Sequence, residues 1–154
     1  MDLQGLFNIR HKTAVITGGS GVLGRAMASG LAQAGVRVAI VSLHIESAEA
    51  VAQAIRADGD QAIGIACNVL DRISLEQAQE QVRSVLGPVD ILINAAGGNN
   101  PHATTTAERP FFDLDSHAVR EVLDLNFMGT FQSCQVFGHD MAEQERAASS
   151  MSPP

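Results

Sequence analysis

The 154-residue sequence has no tyrosine, no tryptophan and, in Lys12, a single lysine. Phenylalanine is its one aromatic type, so no phenol is present to carry a proton near neutral pH. Basic charge is scarce: 10 Lys and Arg stand against 17 Asp and Glu, for a net charge of -7, with no basic run. That balance argues against a nucleic-acid surface and against an anionic membrane surface. The two cysteines, Cys67 and Cys134, lie far apart in apolar segments, outside any C-x-x-C pair, and both read as buried free thiols. The five histidines (His11, His44, His102, His117, His139) are scattered, which leaves no metal site with ligand spacing. No apolar run approaches the length of a membrane span, and no signal-type segment follows Met1. The expectation is a cytoplasmic chain with no nucleic-acid partner, no membrane and no metal.

What is present is apolar. With 45% hydrophobic and 18% charged residues, the chain has enough material for one domain with a core. Thr13 to Thr17 (TAVIT) is a β-branched, nearly continuous apolar run, the pattern of a strand covered on both faces. It enters TGGSGVLG, where Gly18, Gly21 and Gly24 can turn the backbone, approach a pyrophosphate closely and seat the next helix. The same stretch also reads as G-x-G-x-x-G at Gly19, Gly21 and Gly24. Val22 to Ala34 follows as a helix with a stripe of Leu23, Ala26, Met27, Gly30 and Leu31, capped at Gly35. Val36 to Leu43 is the next strand, which completes a βαβ unit around the glycine loop.

The alternation continues. Ser47 to Ala57 is a helix on Ala48, Val51, Ala52 and Ile55, and Gln61 to Cys67 is a third strand. Asp71 caps a helix whose face is Leu75, Ala78, Val82, Val85 and Leu86 and which Gly87-Pro88 ends. Val89 to Asn94 is the fourth strand. Residues 97 to 110 form a polar loop suited either to substrate contact or to a lid role. A long helix is expected from Asp115 through Val119, Val122, Leu123, Phe127, Phe131 and Val136 to about Glu143. The pattern is α/β: a doubly wound, Rossmann-type parallel sheet, incomplete, of about four strands with flanking helices, in residues 1–143. Residues 144–154 read as a disordered tail. In the order 3-2-1-4 the fourth strand lacks its next neighbour, so self-association through that strand and the last helix is expected.

With Asn94-Ala95-Ala96-Gly97 in place after TGGSGVLG, the span from about Phe7 to Met141 resembles the short-chain dehydrogenase/reductase family. NAAGGNNPHATTTAE, FFDLD and DLNFMGTF carry a resemblance to its D-mannonate oxidoreductase, or D-fructuronate reductase, branch. The resemblance implies an NAD(P)-dependent oxidoreductase acting on a small sugar acid, with NAD or NADP as cofactor. It assigns cofactor contacts to the glycine loop (Gly18, Ser20, Gly21, Leu23, Gly24), to Asn68 and Val69 where the family has Asp-Val at the adenine, and to Asn94, Ala95, Ala96 and Gly97. Asn126 matches the helix Asn that helps hold a proton-relay water. In the T-G-x-x-x-G-x-G spacing of shorter members, Val22 replaces a glycine.

Ser42, Leu43 and His44 end the second strand, where Asp or Glu would bind the ribose of NAD. None of them is acidic, and none is Lys or Arg, which leaves NAD against NADP open. The family's chemistry uses a Tyr with a Lys four residues later, and this chain has neither beyond Lys12. The chain is therefore expected to be inactive alone, as a truncated oxidoreductase or as a non-catalytic dinucleotide-binding module.

Overall fold

The computed structural model describes residues 8–150, with side chains described through residue 144. The elements are β1 (Thr13–Thr17), α1 (Val22–Gln33), β2 (Arg37–Ser42), α2 (Ile45–Ala57), β3 (Ala62–Ala66), α3 (Arg72–Leu86) and β4 (Ile91–Asn94). Single 3-10 turns at Pro101–Ala103 and Phe111–Asp113 lead to α4 (Ser116–Leu123), a π-helical turn (Asp124–Met128) and α5 (Gly129–Ser150). The strands form one parallel sheet in the expected order β3-β2-β1-β4, with Ala14 of β1 opposite Val38 of β2 and Ile91 of β4.

The continuous apolar run of β1 follows from its place in the middle. Every residue of it is buried, and successive side chains enter opposite layers. Ala14 and Ile16 pack with Ala28, Ala32, Ala48, Val51, Ala52 and Ile55 beneath α1 and α2. Val15 packs with Leu75, Ala78, Val82, Val136 and Phe137 beneath α3 and α5. Each fully buried Val, Ile or Phe stabilises the fold by about 1.5–3 kcal/mol of apolar transfer. The Asp71 carboxylate accepts the Ile73 N–H at 3.0 Å and so caps α3 as expected.

Several helix faces differ from the expected ones. On α1 the buried residues are Gly24, Ala28 and Ala32, while Leu23 is 75% and Val22 82% exposed. Met27 is exposed as well, and of the expected stripe only Leu31 packs on the core. Small residues four apart let the helix lie close to the sheet, and that requirement overrides the larger apolar side chains. Val85 of α3 is likewise exposed. Cys134, expected to be buried, is exposed.

The expected single helix from Asp115 is interrupted by the π-turn, whose extra residue per turn re-phases everything after it. Val136 remains buried, joined by Ser133, Phe137 and Asp140, whereas Phe127 and Phe131 face outward; Leu123, which precedes the turn, is exposed as well. The helix also runs past Glu143 to Ser150, so residues 144–150 are helical rather than irregular. Glu, Gln, Arg and Ala, which fill positions 143 to 148, are good helix formers. The rest of the expected tail, 151–154, lies outside the described residues.

Candidate functional site

Because the strands are parallel, their carboxyl ends meet at one edge, and the connections leaving β1, β2, β3 and β4 converge there. The chain leaves β1 toward β2 on one side, while β4 joins β1 on the other, so a crevice opens between the two directions. It is a cleft of about 320 Å³ lined by Gly18, Ser20, Gly21, Val41, Ser42, Leu43, Cys67, Asn68, Val69, Ala95, Ala96, Gly97 and Leu125. None of these side chains is charged.

The glycine loop is held from below. Gly18 has a φ of 65°, and a Cβ there would stand 2.5 Å from the Ala95 carbonyl oxygen. Both the left-handed backbone and the close approach require glycine, which favours the reading anchored on Gly18. Gly24 is equally constrained, since its Cβ would lie 2.4 Å from the Gly18 carbonyl oxygen. Gly19 N–H donates to the Val41 carbonyl at 3.2 Å and Gly21 N–H to the Gly18 carbonyl at 3.0 Å. Gly21 begins α1 with no side-chain cap, so the first-turn N–H groups of α1 have no acceptor within the helix. Val22, which replaces a glycine in the shorter-member spacing, is exposed at the start of α1.

The β4 side is fastened to β1. Ala95 N–H donates to the Thr17 carbonyl at 3.0 Å, and Ala96 N–H donates to Thr17 Oγ1 at 3.3 Å. Beyond them Asn126 ties the next loop residue to the π-turn. Its Nδ2 donates to the Gly98 carbonyl at 2.7 Å and to the Val122 carbonyl at 2.8 Å, and its Oδ1 accepts from Gly98 N–H at 3.2 Å. The Asn126 carbonyl accepts from Thr130 Oγ1 at 3.0 Å. A π-turn at this position is a distortion of the kind found at functional sites, and the Asn is what couples it to the cleft wall.

At the far end, Asn68 N–H donates to Ser74 Oγ at 3.0 Å and Asn68 Oδ1 accepts from Leu70 N–H at 3.0 Å, leaving its second lone pair. Ser20 Oγ and Ser42 Oγ are 2.8 Å apart, and Ser42 Oγ and Ser47 Oγ 3.1 Å apart. Burial pushes the Cys67 thiol above its ordinary value.

Most residues singled out from the sequence thus come together: Gly18, Ser20, Gly21, Ser42, Asn68, Val69, Ala95, Ala96 and Gly97 all line the cleft. Three do not. Leu23 stands exposed on α1 and Gly24 is buried beneath the loop. Asn94 turns toward α5, its Nδ2 donating to Cys134 Sγ at 3.3 Å, and its buried Oδ1 has no partner among the described residues. Val41, Leu43, Cys67 and Leu125 line the cleft without having been assigned to it. The first three adjoin assigned residues at strand ends, a signal that was readable, whereas Leu125 reaches the cleft through the π-turn.

The single lysine is elsewhere. Lys12 Nζ donates to Asp90 Oδ1 at 2.8 Å, and Asp90 Oδ2 accepts from Thr13 N–H at 2.9 Å. This clasp joins the amino ends of β1 and β4, roughly 15 Å of strand away from the glycine loop. Among the described residues there is no group of His, Cys, Asp and Glu able to hold a metal ion, and no helix long and apolar enough to cross a membrane.

Comparison with known proteins agrees with this geometry. The family model for short chain dehydrogenases matches residues 12–148. An uncharacterized oxidoreductase UxuB of Bacillus subtilis is 45% identical over 149 residues, covering 92% of this chain and 54% of the relative. D-threitol dehydrogenase of Mycolicibacterium smegmatis is 36% identical, covering 89% and 50%. A crystal structure from Haemophilus influenza, assigned to a D-mannonate oxidoreductase and solved with bound NAD, superposes with a TM-score of 0.81 at 35% identity, covering 91% of this chain and 54% of that one. The chain therefore spans about half the length of the curated relatives it matches. With a parallel sheet in this order, a glycine loop at the first crossover and a family model spanning most of its length, the chain belongs to the short-chain dehydrogenase family.

Proposed function

We propose that the chain is the cofactor-holding part of an NAD(P)-dependent oxidoreductase that acts, as a whole, on a sugar acid such as D-mannonate or D-fructuronate in the cytoplasm. The observation that carries this reading is the convergence of Gly18, Ser20, Gly21, Ser42, Asn68, Val69 and the 95–97 segment on one uncharged cleft at a helix amino terminus. The residues present fit a dinucleotide. Glycines 18 and 24 leave no room for side chains beneath the loop, and the uncapped first turn of α1 offers N–H donors to a pyrophosphate. Asn68 and Val69 would hold the adenine, Ser42 the ribose, and Ala95 to Gly97 the wall toward the nicotinamide. The nicotinamide, when bound, supplies or takes up hydride.

The chain's own part is to bind, orient and exclude water. Asn126 fixes Gly98, and with it the exit of β4, so that this wall keeps its position; helping to hold a proton-relay water is the role the family resemblance implies for it. The proton transfer that must accompany hydride transfer needs a group with a suitable pKa beside the substrate. Lys12 is committed to Asp90 at the other end of the sheet, and no tyrosine is present. The chain by itself is accordingly a dinucleotide-binding module without turnover. The sugar-acid assignment is supported by the 35% identity to the structure assigned to D-mannonate oxidoreductase.

Two measurements on the same preparation test this. Calorimetric titration with NAD and with NADP is expected to give saturable heat, while D-fructuronate with NADH or NADPH gives no turnover. A folded sample with no heat for either dinucleotide would overturn the binding reading; turnover would overturn the claim that the missing Tyr and Lys are required. We further propose that the chain self-associates through β4 and the last helical stretch, where Leu123 of α4, Phe127 of the π-turn and Phe131 of α5 are 57%, 65% and 47% exposed.

A further inference from the structure

The hydroxyl groups at the ribose end of the cleft are ordered, and their order can be deduced. Ser47 Oγ lies 2.9 Å from the His44 carbonyl oxygen. A carbonyl only accepts, so the one proton of Ser47 is committed there. Ser42 Oγ, 3.1 Å from Ser47 Oγ, must then be the donor in that pair. With its proton spent on Ser47, Ser42 can only accept from Ser20 Oγ at 2.8 Å. The protons therefore run in one direction, Ser20 to Ser42 to Ser47 to the His44 carbonyl, and each link polarises the next. What Ser20 and Ser42 turn toward the cleft are lone pairs.

We propose that Ser20, Ser42 and Ser47 form a polarised hydroxyl relay that selects a dinucleotide with a free ribose diol over one carrying a 2′-phosphate. The proposal rests on the cofactor-site reading above and deepens it. A diol brings two donors and meets acceptors. A phosphate brings only acceptors and negative charge, and meets acceptors too. The relay does the work of the carboxylate that commonly ends this strand in NAD-binding sheets, without a formal charge. Ser47 is the positioning residue: it touches no ligand but sets which way the other two protons point.

Two features act in the opposite direction. Arg25 Nη2 donates to the Ser20 carbonyl at 3.0 Å, close enough in sequence to offer a cation to a 2′-phosphate. The amino terminus of α2 lies beside Ser42, with Glu46 in its first turn offsetting the positive end of the helix. The relay is placed ahead of them because two of its residues, Ser20 and Ser42, line the cleft, whereas Arg25 is exposed outside it.

The test is a pair of titrations, by calorimetry, with NAD and NADP on the 154-residue chain and on three variants whose folding is checked by circular dichroism. In the parent chain NAD is expected to bind about tenfold more tightly than NADP, the upper end of what one neutral hydrogen bond contributes. Ser47→Ala frees the Ser42 proton to turn toward the ligand and is expected to bring the ratio to roughly threefold or less. Ser47→Thr, which keeps the hydroxyl, is expected to restore it. Arg25→Ala is expected to leave NAD binding unchanged. Equal affinities in the parent chain, or a ratio that Ser47→Ala does not move, would overturn the relay while leaving the cofactor site standing. NADP affinity lost in Arg25→Ala from a parent that shows no preference would transfer the selection to Arg25. Absence of binding by both dinucleotides would overturn the site itself, and the relay with it.

Discussion

β1 and β4 lie side by side in register, Ala14 opposite Ile91 and Ile16 opposite Ile93, and both are short apolar strands. β1 is hydrogen-bonded on both sides and every residue in it is buried. β4 is bonded on one side only, and every residue of it remains half-buried. The same kind of sequence thus reads as finished core in one place and as an open edge in the other. The difference continues outward: β1 is covered by helices on both faces, whereas the helix layer next to β4 leaves Leu123, Phe127 and Phe131 without cover. A half-buried apolar edge strand and an outward-facing aromatic helix face are what the proposed self-association would cover.

The sharpest way to break the comparison is by truncation in both strands. Ile16→Ala removes a fully buried side chain and is expected to cost about 4 kcal/mol. Ile93→Ala, directly opposite, is expected to cost roughly 1 kcal/mol, because part of that side chain is already in water. Urea denaturation of both variants checks this, and equal losses would mean that β4 is buried in solution by an associated copy.

Association itself is the second test. The double variant Phe127→Glu and Phe131→Glu is expected to shift sedimentation velocity toward the monomer while changing stability by no more than about 0.5 kcal/mol, as surface substitutions do. A parent chain that sediments as a monomer would remove the surface from consideration.

The smallest effect concerns the two thiols, one on each side of the contrast. Cys134 is exposed on α5 and Cys67 is buried at the end of β3. Alkylation near pH 8 is expected to modify Cys134 first, because burial holds Cys67 protonated. Saturating NAD should slow Cys67 further, since its side chain lines the cleft. The raised Cys67 pKa also fixes a sign. Below the unfolded thiol's value of about 8.5 both states keep the proton, and the contribution is constant. Above it the unfolded chain ionises first, so stability falls as pH rises through that range. Cys67→Ser should remove that part of the alkaline loss in thermal melts.

The sequence was a good guide wherever the information was local. The βαβ alternation, the order of the strands, the Asp71 cap and most of the cleft residues were readable, because strand ends and glycine turns are set by neighbours along the chain. Errors arose where a face had to be chosen. On α1 the large apolar residues suggested one stripe, but the sheet accepted Gly24, Ala28 and Ala32 because only small residues permit the close approach. On the last helix a uniform α-helical period placed Phe127 and Phe131 inside. The π-turn at Asp124–Met128 rotated them out and brought Leu125 to the cleft.

From the residues alone come the fold class, the glycine loop and the lack of a Tyr and Lys pair, since these depend on composition and short spacing. The tertiary structure decided three further matters. It fastened the one lysine to Asp90 at the opposite end of the sheet, and it set which helix faces are covered. It also brought Ser20, Ser42 and Ser47 from three segments into one hydrogen-bonded line. A hydroxyl's donor direction is a property of the whole line, ending at the His44 carbonyl, and no single residue in the sequence carries it.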